Sequence, residues 1–307
     1  MTSLLPSRHS EVRELGRRLA RAAVSDLPLL LEGETGTGKS WVAARLHRAS
    51  RPGRPLVVVD CGALAPGLVA SELFGHRAGA FTDATRPRIG WLERAADGTL
   101  VLDRIEILPP EGQVALLRVL EEARFFPVGA AHPRPFRARV VALADGGVAA
   151  RVSRGELRVD LYHRVAGFVA ALPPLRERPL DILPHAERTL RRLAHRAPAP
   201  VLDAEASELL VAYPWPGNFR ELEATMARAA LAGSGRIGPA DLELPADGWP
   251  AIATLAAARL QPLAVVERLY ALWVLAQNGG NVSRAARILG VSRRTVIRWR
   301  KEQADRP

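Results

Sequence analysis

One cysteine, Cys61, is the only thiol in this chain of 307 residues. That excludes an internal disulfide framework and fits a reducing cytoplasm. No run of about 18 apolar residues occurs, so no membrane-spanning helix is encoded. The first residues, Met1 to Glu14, lack the apolar centre of a secretory signal. Internal repeats and low-complexity tracts are missing too. Lysine is nearly absent: Lys39 and Lys301 are the only two, and every other strong base is arginine. The chain is therefore expected to be cytoplasmic, with no membrane partner. Its 48% hydrophobic content rules out a disordered chain, and its length leaves room for two or three domains. A net charge of +11 points to an acidic partner, of which nucleic acid is the usual one. A general preference for arginine would raise the charge without such a partner.

Lys39 stands in Gly33-Glu34-Thr35-Gly36-Thr37-Gly38-Lys39-Ser40. An apolar run, Leu29 to Leu31, precedes this stretch, and a helical pattern, Trp41 to Leu46, follows it. Strand, glycine-rich loop and helix form the context of a phosphate-binding loop. Its backbone N–H groups converge on an anion at the positive end of the helix dipole. Lys39 would reach the β/γ-phosphates, and Ser40 would offer its hydroxyl to Mg²⁺. Leu100-Val101-Leu102-Asp103 ends an apolar strand in a carboxylate, the pattern of a Walker B element, and Asp103 would hold the Mg²⁺–nucleotide assembly. ATP and Mg²⁺ are the expected cofactors.

Strand patterns at Leu29–Leu31, Leu56–Asp60, Leu100–Asp103, Val140–Ala144 and Phe168–Leu172 alternate with helical ones such as Glu11–Val24 and Gln113–Arg124. This alternation predicts an α/β fold with a parallel sheet. After residue 173 the strands stop, and helices are expected at Asp181–Leu193, Ala204–Ala212 and Arg220–Ala232. Residues 174–242 thus form a helical lid and 243–260 a linker. The remainder, 261–307, opens with an amphipathic helix whose Leu263, Val266, Tyr270, Trp273 and Val274 are expected to face a core.

Asn281 to Arg300 carries a helix-turn-helix pattern. Ala285, Ala286 and Leu289 pack the first helix, Gly290 permits the turn, and Ser292 caps the second helix. Val296, Ile297 and Trp299 are expected inside, with Arg293, Arg294 and Arg298 (and Thr295 beside them) toward DNA. From Asn281 to Pro307 there are eight basic residues against two acids. Double-stranded DNA is the expected partner.

Ser71 to His76 followed by Gly79-Ala80-Phe81-Thr82-Asp83-Ala84 resembles the insertion loop of the sigma-54-dependent transcriptional activators, bacterial enhancer-binding proteins of the AAA+ ATPase class. Leu172 to Arg178 and Tyr213 to Leu222 are similar to further motifs of that family. The resemblance implies an AAA+ sheet domain with a helical lid and an all-α, Fis-type helix-turn-helix domain. It also implies a sigma-54 RNA polymerase partner contacted by Gly79–Ala84, and a ring of anywhere from two to six copies. Arg158 and Arg164 correspond to arginine fingers offered to a neighbouring subunit, and Arg220 to the lid's sensor arginine. Because the chain begins almost at the ATPase domain, it resembles members without an N-terminal sensory domain.

Four positions depart from the family. A glutamate that polarises the attacking water normally follows the Walker B aspartate, and here Arg104 stands there; arginine cannot act as a base. Asp60 replaces the asparagine that switches that glutamate, so an Asp60–Arg104 ion pair is expected. Asp145 replaces a sensor asparagine, which brings a carboxylate toward the γ-phosphate. Asp83 also replaces a glycine of the contact loop. Together these imply nucleotide binding with impaired hydrolysis. Two alternatives stay open: an active ring ATPase in which Glu106 or another group replaces the missing base, and a non-enzymatic antagonist or co-assembly partner of an intact paralogue.

Overall fold

The computed structural model describes residues 4–65, 67–81, 84–194, 198–231, 235–245, 252–253, 256 and 260–301. It divides into two compact units, Met1–Pro173 and Pro174–Pro307. Below, the five main-sheet strands and the helices of seven or more residues are numbered in chain order.

In the first unit, α1 (Ser10–Ala23), β1 (Leu29–Glu32), α2 (Lys39–Ser50), β2 (Leu56–Asp60), β3 (Thr99–Asp103), α3 (Pro110–Glu122), β4 (Arg139–Ala144), α4 (Val159–Val165) and β5 (Phe168–Ala171) follow one another. The strands form one parallel sheet in the order β2-β3-β4-β1-β5. Helices cover both faces, which explains why the central strands are continuous apolar runs. Alternate side chains separate into two cores. Leu30, Leu100, Leu102, Val140 and Ala142 pack with Leu73, Leu116, Leu161 and Val165 on one face. Leu29, Leu31, Val101, Val141 and Leu143 pack with Leu19, Val42 and Leu46 on the other. The register sets Asp60 beside Asp103 and Glu32 beside Ala144. Asp60, Asp103, Asp145 and the start of the Gly33 loop therefore leave the sheet at one edge, the carboxyl ends of the strands, where open α/β sheets take ligands.

In the second unit, α5 (Pro179–Leu193), α6 (Ala204–Ala212) and α7 (Asn218–Leu231) enclose a core centred on the fully buried Trp215. Trp215 donates its indole N–H to Leu210 O at 2.7 Å, and buried Asn218 accepts from Leu175 N–H at 2.6 Å. Both residues adopt left-handed backbone angles, so the Pro214–Asn218 break is a built corner. Next come α8 (Leu263–Gln277), α9 (Val282–Leu289) and α10 (Arg293–Lys301). Leu269 and Leu272 of α8 join the Trp215 core, Arg268 pairs with Glu208 at 2.7 Å, and Gln277 donates to Leu244 O at 2.9 Å.

The apolar stripe expected on α8 holds only in part. Val274 is buried and Trp273 packs against the core as expected, joined by the buried Leu269, Leu272 and Leu275, whereas Leu263 is 72% exposed and Tyr270 is exposed too. The helix is apolar around most of its circumference, so periodicity alone cannot choose the inner face. On α10, Val296 is buried as expected and Trp299 is half-buried, but Ile297 is 42% exposed, because neighbouring helix positions are turned about 100° apart and Val296 takes the inward one. Among the described residues no helix is long and apolar enough to cross a membrane.

Candidate nucleotide site

The Gly33–Ser40 stretch forms a tight loop into α2 that only glycine permits at three points. Gly33, Gly36 and Gly38 have φ of +151°, +82° and +100°. At Gly33 a Cβ would also fall 2.8 Å from Leu172 O. Thr37 Oγ1 donates to Glu34 O at 2.8 Å and closes the turn. Gly38 caps α2 with no side chain, leaving the first N–H groups of that helix facing the loop. Bare backbone, a helix start and a buried lysine fit a phosphate chain. Ser40, exposed at the start of α2, and Asp103, at the end of β3, are the residues that would hold its Mg²⁺.

Lys39 is engaged on three sides. Its ammonium donates to Gly33 O at 2.6 Å and Glu34 O at 3.2 Å, and pairs with Asp145 Oδ1 at 2.8 Å. Thr35 Oγ1 lies 3.4 Å from both oxygens of Asp145. Behind them Glu106, 4% exposed, accepts from Asp145 N–H at 3.1 Å, while its other oxygen is buried without a hydrogen-bond partner. Sequence reasoning placed Asp145 near the phosphates but missed its bond to Lys39.

At the ends of β2 and β3, Arg104 grips Asp60. Arg104 Nη2 lies 2.5 Å from each carboxylate oxygen, and Nε lies 3.1 Å from Oδ1. Asp60 also accepts from Gly62 N–H at 3.0 Å. The hydrogen bonds from Arg104 come first in holding the Asp60 carboxyl below the ordinary aspartate range. Gly62 leaves space for the guanidinium, since an added Cβ there would fall 2.6 Å from Arg104 Nη2. Between these carboxylates Cys61 is fully buried, and burial first, then Asp60, Asp103 and Glu106, push its thiol up to about 12.

The remaining candidates occupy separate places. Arg158 pairs with Asp160 at 2.8 Å, and its N–H donates to buried Gln113 Oε1 at 2.9 Å. Arg164 donates to Leu120 O at 2.6 and 3.0 Å, closing the end of α3. Arg220 is exposed on α7 in the second unit. In the contact loop Gly79 N–H donates to Ala84 O at 2.7 Å, Ala84 is buried, and Ala80 lies between. Phe81, 40% exposed, meets the His76 ring edge-on at 4.9 Å between centroids. Thr82 and Asp83 lie outside the described residues. On α10, Ser292 Oγ accepts from Thr295 N–H at 3.1 Å, and Arg293, Arg294 and Arg298 are exposed.

Residues 5–170 match the family model described as the Sigma-54 interaction domain, more than half of the chain. The chain belongs to that family. Its sigma-54 interaction domain is followed by matches to an AAA+ ATPase lid domain over residues 176–247 and a Homeodomain-like domain over 262–307. Transcriptional regulatory protein ZraR of Klebsiella oxytoca is 41% identical over 291 residues, 93% of this chain and 66% of that protein. The Sigma54-dependent transcriptional activator SfnR of Pseudomonas putida is 44% identical over 230 residues, 74% of this chain and 63% of that one. The chain thus spans about two thirds of the length of these curated relatives. Among solved structures, NtrX from Brucella abortus in complex with ATP is 28% identical, with a TM-score of 0.71 over 97% of this chain and 68% of that one.

Proposed function

We propose that this sigma-54 interaction domain protein is a DNA-binding transcription regulator of sigma-54 RNA polymerase that binds Mg-ATP in the Gly33–Ser40 loop and hydrolyses it poorly. One observation carries the second half: the guanidinium of Arg104, clamped on Asp60, stands one residue after Asp103, where the family's water-activating glutamate is expected. A cation there cannot take a proton from water, and losing a general base costs about 10²–10⁴ in rate. Binding alone can still stabilise an assembled state, because any ligand favours the conformation that holds it. NtrX, in complex with ATP, supports the nucleotide half.

Glu106 is poorly suited to replace the missing base. It is buried, with one oxygen committed to Asp145 N–H. Of the two proposed fingers, Arg158 keeps its guanidinium at the surface on a neighbouring aspartate, which an incoming phosphate could displace, whereas Arg164 serves Leu120 O. The exposed Leu263 and Tyr270 of α8 offer apolar area for a second copy, which supports an oligomer. The basic face of α10 supports DNA binding. A steady-state ATPase assay, alone and mixed with an intact homologue, tests the reading: slow turnover alone is expected. Turnover comparable to the intact homologue's, at the same site concentration, contradicts it. Stimulation of the mixture beyond the sum of its parts favours the co-assembly alternative.

A further inference from the structure

The lysine that a phosphate loop offers to its ligand is held, in this chain, by a carboxylate. Lys39 Nζ and Asp145 Oδ1 are 2.8 Å apart, and Thr35 Oγ1 stands 3.4 Å from each Asp145 oxygen. The Lys39 side chain is 9% exposed and that of Asp145 46%, so the carboxylate is the outer member of the pair. Its backbone is fixed. Asp145 follows the fully buried Ala144 at the end of β4, and its N–H is bonded to buried Glu106.

The phosphates of a nucleotide depend on this region unequally. Backbone N–H groups of the loop hold the α- and β-phosphates, while the lysine and Mg²⁺ reach toward the γ-phosphate. A diphosphate can use the N–H cradle and share the Lys39 ammonium with Asp145. A triphosphate needs that ammonium for its terminal group and brings further negative charge toward Asp145. Like charges within about 4–6 Å disfavour one another's ionised form, and more so where neighbouring groups are buried.

We propose that Asp145 is a specificity-determining residue that makes this site select nucleoside diphosphate over triphosphate, by occupying Lys39 and repelling the γ-phosphate. The inference rests on the nucleotide-site reading above and gives it a direction. The loop retains the diphosphate, so slow exchange as well as slow chemistry would restrain the protein.

Calorimetric titration of the full chain with Mg-ADP, Mg-ATP and a non-hydrolysable Mg-ATP analogue tests it, for the wild type, Asp145→Asn and Asp145→Ala. ADP is expected to bind at least about tenfold more tightly than ATP or its analogue, and both variants to shift that ratio about tenfold toward the triphosphate. A wild-type protein that binds the analogue as tightly as ADP overturns the proposal while leaving the nucleotide site standing. So does a ratio unchanged in folded variants. Binding of neither nucleotide by the wild type overturns the nucleotide site and this inference together. If a variant does not melt as a folded protein, the wild-type ratio alone decides.

Discussion

Arg104→Glu should raise ATP turnover, and the structure sets how far. The substitution restores a carboxylate at the residue after Asp103, which is worth up to about 10²–10⁴-fold where it can act as a base. It also removes the cation that Asp60 holds through contacts at 2.5 Å, leaving Asp60, residue 104 and Asp103 as neighbouring acids. Crowded carboxylates raise one another's pKa, and a part-protonated base is a poor one. The single variant should therefore recover about tenfold, and Asp60→Asn/Arg104→Glu should recover ~100-fold or more. Backbone strain does not oppose the exchange. Position 104 has φ +57°, a left-handed angle that costs arginine and glutamate alike. Stability changes little, because both side chains of the pair are about half exposed, and melting should move by no more than about 3 °C. The assay is phosphate release at millimolar Mg-ATP with kcat as the readout, since Asp145 is proposed to weaken triphosphate binding. A double variant no faster than the wild type would refute the reasoning.

Three further outcomes follow from the same geometry. Cys61, fully buried with its thiol pushed up to about 12, should resist iodoacetamide at pH 8 in the folded protein and react only as the first unit opens, so mass spectrometry across a urea series reports that unit's unfolding; rapid labelling without denaturant contradicts the packing. His185 Nε2–H donates to Glu223 Oε1 at 2.9 Å, yet burial holds its pKa below the ordinary 6.5. Its unfolded form binds a proton first, so stability is lost as pH falls below about 6.5; melting should fall from pH 7 to 5, and His185→Gln should reduce that fall. Arg294→Ala should weaken binding to a specific DNA duplex by about 1–3 kcal/mol if it reads a base, or flatten the salt dependence by about one unit if it holds a phosphate; an unchanged isotherm at several salt concentrations contradicts the basic face of α10.

How far the sequence could be read depends on the range of the interaction involved. The five strands of the parallel sheet are apolar runs bounded by Gly, Pro or Asp, and each was legible to within a residue or two. The helix-turn-helix was legible because its signals are local: Gly290 at φ +65° ends α9, and Ser292 caps α10. The Asp60–Arg104 pair was reachable by comparing two substituted positions. The Lys39–Asp145 bond joins residues 106 positions apart, and nothing local announces it. Arg164 was ambiguous for a related reason: an arginine bonded to the end of a helix reads in sequence like any other surface arginine. Where apolar residues surround a helix, as on α8, tertiary packing chose the face.

The central claim, a nucleotide site that binds but scarcely hydrolyses, is tested most directly by a single-turnover measurement. Protein in excess over γ-labelled Mg-ATP, at concentrations where calorimetry shows the nucleotide bound, is quenched over time and the released phosphate counted. The account predicts that bound ATP stays intact over many minutes in the wild type and is consumed about 100-fold faster by Asp60→Asn/Arg104→Glu. Rapid cleavage by the wild type would contradict it and return Arg104 to a merely structural role.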